Sequence, residues 1–190
     1  HYYGGIKKYQ WGTIPLALHG VVITKDGKTV NVRIGDENDD VTFVITDLLP
    51  HLAQEQMKKP SSQIIEGEQL NLLIGSMPAA GEETEAVKEN ILTILNEKYG
   101  ISEEDFLSAE LQIVPSANAK DVGFDRSLIG SYAHDDRVCA YPALMAALTT
   151  DACEKTAVCI LTDKEEVGSM GNTGAKSDFM KLCLLEMMDK

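Results

Sequence analysis

Between residues 14 and 34 apolar and polar side chains alternate in two runs, Leu16-Ala17-Leu18-His19-Gly20-Val21-Val22-Ile23 and Thr29-Val30-Asn31-Val32-Arg33-Ile34. A period of two puts one face of a strand on a core and the other toward solvent. Asp26-Gly27 between the runs is a strong hairpin signal. Phe43-Val44-Ile45 predicts a short third strand, and Leu70 to Ser76 another after the polar linker Ser61 to Gln69. Leu111-Gln112-Ile113-Val114, closed by Pro115, predicts one more. The period changes over Thr84 to Tyr99, where Val87, Ile91, Ile94, Leu95 and Lys98 recur at helical spacing, with acids before them and Gly100 after. That pattern predicts a helix with a glycine stop. A second helix is predicted from Thr46-Asp47 to about Lys58, with Pro50 in its first turn. Ser102-Glu103-Glu104-Asp105 predicts a capped short one.

From Asp121 the character changes. Gly123 and Gly130 punctuate a loop that leads into an Ala- and Leu-rich helical pattern over Val138 to Leu148, with Pro142 in its opening turns. The apolar run Thr156 to Leu161 predicts a buried strand, and Ser177 to Met188 a last helix. Strands alternating with helices predict an α/β fold with a mainly parallel sheet, whose ligands bind beyond the carboxyl ends of the strands. Residues 14–115, in contrast, read as a β-rich module with two helices, suited to packing against a partner. Nothing in that module has the look of a reaction centre.

The candidate chemistry lies in the later region. Asp135-Asp136 precedes the Ala-rich helix, and Glu165-Glu166 follows the apolar run with Gly168-Ser169 beside it. Adjacent like charges raise one another's pKa unless a cation compensates, and divalent cations accept carboxylate oxygens readily. Neighbouring side chains diverge, so one glutamate can bind metal while the other acts as a base. The plainer alternative stays open: Asp135-Asp136 caps a helix and Glu165-Glu166 lies on a solvated loop. The acidic tract Gly35 to Asp40 lacks the spacing and closing Glu of a calcium loop, and predicts a solvated turn.

Composition narrows the field. The 190 residues are 44% hydrophobic and 25% charged, enough for one domain or two small ones. A net charge of −13 argues against nucleic acid, whose phosphates require Lys and Arg. Cys139, Cys153, Cys159 and Cys183 sit in apolar patterns without metal-knuckle spacing, which predicts buried, reduced thiols and a cytoplasmic setting. No apolar run reaches the length of a membrane span. The opening His1-Tyr2-Tyr3 and the close inside a helical pattern at Met187-Met188-Asp189-Lys190 suggest a piece of something longer.

Asp135-Asp136-Arg137 and Glu165-Glu166-Val167-Gly168-Ser169 resemble the paired signatures of dinuclear zinc aminopeptidases. With Tyr3-Gly4-Gly5-Ile6, Leu49-Pro50-His51-Leu52-Ala53 and Val122-Gly123-Phe124-Asp125 in the same order, the chain resembles the aspartyl aminopeptidase and vacuolar aminopeptidase I family over nearly its whole length. The resemblance implies that residues 1–13 and 119–190 belong to a catalytic domain. Residues 14–118 would be an inserted β-rich dimerisation domain. It implies two zinc ions per site, with cobalt or manganese as alternatives. Asp135 would bridge the metals, Glu166 would bind one, and Glu165 would be the catalytic base toward the attacking water. Asp136 would support the site from behind, balanced by Arg137. His51 would reach a neighbouring subunit's substrate site, although a surface or capping histidine is the plainer reading. His134 reads as near the site and not as a ligand. The implied partners are peptide substrates and further copies of the chain, in dimers and in a larger tetrahedral particle such as a dodecamer. No nucleic acid or membrane is implied.

The family pattern also requires a histidine upstream of Tyr3, and an aspartate and a histidine downstream of the glutamates. Only two of the five implied ligands therefore fall in this stretch. The expected activity, hydrolysis of N-terminal residues from peptides, would belong to a longer parent. The competing expectation is a non-catalytic assembly module. A deacylase with the same metal chemistry is a third reading, disfavoured by the Tyr-Gly-Gly and Leu-Pro-His segments.

Overall fold

A computed structural model describes residues 4–39, 41–81 and 84–189. Tyr3 and Asp40, which belong to segments singled out above, lie outside the described residues, as does His1. The chain divides into two compact units, one formed by Lys7–Tyr132 and the other by His1–Ile6 together with Ala133–Lys190.

The first unit is built on the predicted hairpin. Strands β1 (Leu16–Ile23) and β2 (Thr29–Ile34) pair antiparallel, with Val22 opposite Val30 and Leu18 opposite Ile34. The turn closes through Thr24 N–H donating to Lys28 O at 2.9 Å and Gly27 N–H to Thr24 O at 2.8 Å. Two short strands, β3 (Val44–Ile45) and β4 (Leu72–Leu73), pair antiparallel with each other. Helix α1 (Ala86–Tyr99) ends at Gly100 in the left-handed conformation, φ 67°, as its sequence pattern predicts. Strand β5 (Glu110–Pro115) then adds to the free edge of β1, giving the antiparallel order β2-β1-β5. Strands β6 (Lys120–Val122) and β7 (Leu128–Gly130) form a separate hairpin.

The core of this unit is the inward face of the alternating pattern. Val22, Val32, Ile34 and Ile101 cluster, and Leu18, Val30, Phe43, Tyr99 and Leu111 pack around them. Removing such apolar surface from water is the main stabilising term, roughly 1.5–3 kcal/mol for each fully buried large aliphatic side chain. Asp105 ties the turn after α1 to the hairpin. Its buried carboxylate accepts from Ser102 N–H at 2.7 Å, Ser102 Oγ at 2.6 Å and Lys25 N–H at 2.8 Å.

The acidic tract is more than the solvated turn expected of it. Asp36 accepts from His19 Nε2 at 2.7 Å and also from Arg33, the residue opposite His19 in the ladder. Glu37 accepts from Asn118 N–H at 2.9 Å and Lys120 Nζ at 2.6 Å, and Asp39 accepts from Gly35 N–H at 2.8 Å. The acids close the end of the hairpin onto β6.

Three further expectations need correction. The helix predicted to run to Lys58 is reduced to turns and a three-residue 3-10 segment, Gln56–Lys58. Helical bonds form singly, as from Met57 N–H to Ala53 O at 2.8 Å. Short segments with few consecutive bonds do not propagate a helix. Thr156 to Leu161 forms no strand, because a strand needs a partner ladder and none reaches it among the described residues. For the same reason the mainly parallel sheet is not what these residues form: among the described residues the sheets are antiparallel, and parallel pairing is confined there to isolated bridges such as Asp163 with Gly174. The coarser expectation, a mixed α/β chain, holds.

The second unit contains two longer helices, α2 (His134–Thr149) and α3 (Asp178–Met188), joined through residues 150–177. Pro142 lies inside α2. Among its described residues no apolar side chain is buried; Gly174 alone reaches that class.

Candidate metal and catalytic site

Asp135 and Asp136 stand in the first turn of α2, beyond Ala133, which holds a left-handed conformation. Asp135 itself is not helical (φ −79°, ψ 122°), so the regular helix begins after it and the two carboxylates leave the backbone at a bend. The peptide bond between them is cis. Both side chains are exposed, where the positive end of a helix favours anions.

Glu165 and Glu166 occupy a single 3-10 turn, Glu165–Val167, bounded by two left-handed residues, Lys164 (φ 66°) and Gly168 (φ 73°). Ser169 is left-handed as well, at φ 59°. Gly168 N–H donates to Glu165 O at 2.9 Å and Ser169 N–H to Lys164 O at 2.7 Å. The turn the sequence suggests at Gly168-Ser169 is therefore present, and it is tightly wound.

Residues 173–176 hold this turn from outside. Asp163 N–H donates to Thr173 O at 3.3 Å, Thr173 Oγ1 donates to Asp163 Oδ2 at 3.2 Å, and Lys176 N–H donates to Ser169 O at 3.3 Å. Gly174 lies so close that a Cβ there would meet Ser169 O at 2.2 Å. Lys164 Nζ lies 3.1 Å from Asp163 Oδ2, and this hydrogen bond, followed by backbone bonding and Thr173, holds the Asp163 carboxyl below the usual range. Asp163 stays charged as the anchor of the loop while the glutamates beside it stay exposed.

The segment from residue 4 meets the same turn. A Cβ at Gly4 would lie 2.9 Å from Glu166 Cβ and 3.1 Å from its Oε2. The sequence marks Gly4 only as part of a motif. Its contact with Glu166, the Asp163–Thr173 tie and the close approach at Gly174 are not readable from spacing, although the density of glycines around Glu166 is a faint signal of close backbone packing.

Asp135, Asp136, Glu165 and Glu166 all belong to the second unit, whereas His51 is exposed in the turn after Pro50, in the first. Carboxylates are suitable zinc donors, and the Glu165 and Glu166 side chains are exposed. Among the described residues, however, no group of three or more His, Cys, Asp or Glu side chains stands together as a metal site. The donor type fits zinc, and the donor number is incomplete.

A family model for "Aminopeptidase I zinc metalloprotease (M18)" matches residues 1–190. A probable M18 family aminopeptidase 1 from Clostridium acetobutylicum is 56% identical over 189 residues, covering 99% of this chain and 41% of its own length. One from Thermotoga maritima is 53% identical, covering 99% and 41%. The crystal structure of the Thermotoga maritima M18 aminopeptidase superposes with a TM-score of 0.92 at 52% identity, over 100% of this chain and 42% of that one. The Saccharomyces cerevisiae mApe1 dodecamer shares the fold alone, at 18% identity and a TM-score of 0.61 over 98% and 41%. The chain thus spans about two fifths of the length of the curated relatives it matches.

Proposed function

The chain belongs to the M18 family of aminopeptidase I zinc metalloproteases, and we propose that its residues serve the removal of N-terminal residues from peptides by a protein of the relatives' length. The observation that carries this reading is the pinned Glu165–Glu166 turn, which presents two exposed carboxylates on a backbone fixed from both sides. Asp135 and Glu166 would be the residues of this chain that hold zinc. When bound, zinc acts as a Lewis acid toward the peptide carbonyl. Glu165 takes the proton of the attacking water and returns it to the leaving amine. Asp136 supports the site from behind Asp135. The acid-rich surroundings favour the substrate's ammonium group. Cobalt or manganese could replace zinc at such donors.

Residues 14–118 act as an inserted dimerisation domain, and 119–190, with 1–13, as part of a catalytic domain in which Thr156 to Leu161 joins a mainly parallel sheet. The protein forms a homodimer and a higher assembly, as the yeast dodecamer does, with His51 entering a neighbouring copy's site. No helix among the described residues is long and apolar enough to cross a membrane. The four cysteines are free, and they are exposed at 139, 153 and 183 and half-buried at 159, not buried as expected; as free thiols they support a reducing, cytoplasmic setting.

A second reading, an assembly module without catalysis, is favoured by one fact: every buried apolar side chain among the described residues lies within 7–132. The test protein is full-length, with residues 1–190 set in place of the matching 41% of the Clostridium acetobutylicum relative. There Glu165→Gln is expected to keep zinc and lose about 10²–10⁴-fold in kcat, and Asp135→Ala to lose zinc. Near-normal turnover in Glu165→Gln would overturn the assignment of the base. Wild-type assembly without zinc or turnover would favour the module.

A further inference from the structure

We propose that Gly4 is a positioning residue for Glu166: the missing side chain at residue 4 is the space in which the Glu166 carboxylate stands. This rests on Glu166 being a zinc ligand and adds what fixes it. Three observations converge. An added Cβ would lie 2.9 Å from Glu166 Cβ and 3.1 Å from Oε2, too close on two atoms of one side chain, with Glu166 O in ordinary contact at 3.5 Å. The backbone at Gly4 is left-handed, φ 64°, so its direction of approach is one that L side chains seldom adopt. Among the described residues the second unit shows no hydrogen bond or ion pair to the exposed Glu166 carboxylate, and the close approach of residue 4 is the packing that meets this side chain.

A ligand held by shape leaves its oxygens free for a metal, whereas one held by a salt bridge must surrender that partner first. Elsewhere the same turn is already tightly packed: a Cβ at Gly174 would lie 2.2 Å from Ser169 O. A methyl group at residue 4 would therefore press on Glu166 Cβ, which moves only with its backbone, and on Oε2, and would shift the ligand out of place. Neighbouring Gly5 offers an internal contrast: a Cβ there would have nothing within 4 Å, and its φ is not left-handed. Gly100 offers the other contrast, with nearly the same backbone as Gly4 (φ 67°) and nothing within 4 Å of an added Cβ.

The test measures zinc affinity by competition with a chromogenic chelator, alongside kcat and KM, in the full-length test protein. Gly4→Ala is expected to weaken zinc binding about 10–100-fold, the range for residues that orient metal ligands, with kcat recovering as zinc is raised. Gly5→Ala and Gly100→Ala are expected to bind zinc as the parent does, the latter with lower thermal stability alone. Gly4→Asn places the same Cβ on a residue that tolerates left-handed backbone. It should lose as much affinity as Gly4→Ala, and it replaces that variant if alanine does not fold. Glu166→Ala separates the two layers. If it keeps zinc, the ligand assignment is wrong whatever residue 4 does. If it loses zinc while Gly4→Ala and Gly4→Asn bind normally, the positioning role is wrong. An equal loss in Gly100→Ala would trace the effect to backbone strain and also overturn it.

Discussion

The two units of this chain solve different problems. Residues 7–132 bury Leu16 (0% exposed), Val22 (0%) and Ile101 (2%) in a core of their own. In the other unit Phe179 stays 65% exposed, Leu182 57% and Leu148 69%. Yet that second unit carries all four acids of the candidate site. An apolar helix face left in water contributes little to stability, since burial supplies most of what holds a helix in a protein. The difference teaches that the site depends on local devices — left-handed turns, glycine contacts and the Asp163–Thr173 tie — while stability comes from the module that has no site.

The contrast can be broken from either side. The largest expected effect is in the core: Leu16→Ala or Ile101→Ala should destabilise the 190-residue chain by about 2–5 kcal/mol. Leu182→Ala in α3 should stay within roughly 0.5 kcal/mol, the range of exposed positions. Urea unfolding followed by circular dichroism reads both, and similar costs would erase the distinction. Next is Gly174→Ala, whose methyl collides with Ser169 O; overpacking of this kind costs about 1–3 kcal/mol. Here it should disturb the glutamate turn, seen as lost zinc in the full-length test protein, without moving the unfolding of the β1–β2–β5 sheet. Thr173→Val should have a smaller effect of the same kind, about 0.5–1.5 kcal/mol for one hydrogen bond.

Smallest is a pH effect, read here on the sheet unit. Asp36 is held below its ordinary pKa by Arg33 first and His19 second, and Asp105 by the Ser102 hydroxyl and N–H. Both folded values lie below the unfolded one of about 3.9. Their stabilisation is therefore fully present above that pH and is lost as pH falls through the folded values. Acid titration of urea midpoints should show the decline below about pH 4, reduced in Asp36→Asn.

What was legible in the sequence follows the same division. The β1–β2 hairpin and α1 could be read because their signals are local: alternation around Asp26-Gly27, and a 3.6-residue period that stops at Gly100. The acids at 135, 136, 165 and 166 were legible as a pattern, and Gly168-Ser169 as their turn. Thr156 to Leu161 misled because an apolar run signals burial and pairing only where something packs against it; Val158, Ile160 and Leu161 stay exposed, and no strand among the described residues pairs with them. The segment from Leu48 misled because a proline start and a few apolar residues resemble a helix that never propagates. The cradle at Gly4 could not be read at all, since nothing local links residue 4 to residue 166.

The most direct measurement is hydrogen exchange resolved by segment on the 190-residue chain. Protection is expected over Leu16–Ile23, Thr29–Ile34 and Glu110–Pro115, with α2 and α3 exchanging close to the rate of unstructured peptide. Equal protection across both units would contradict the claim that the site-bearing unit lacks a core of its own.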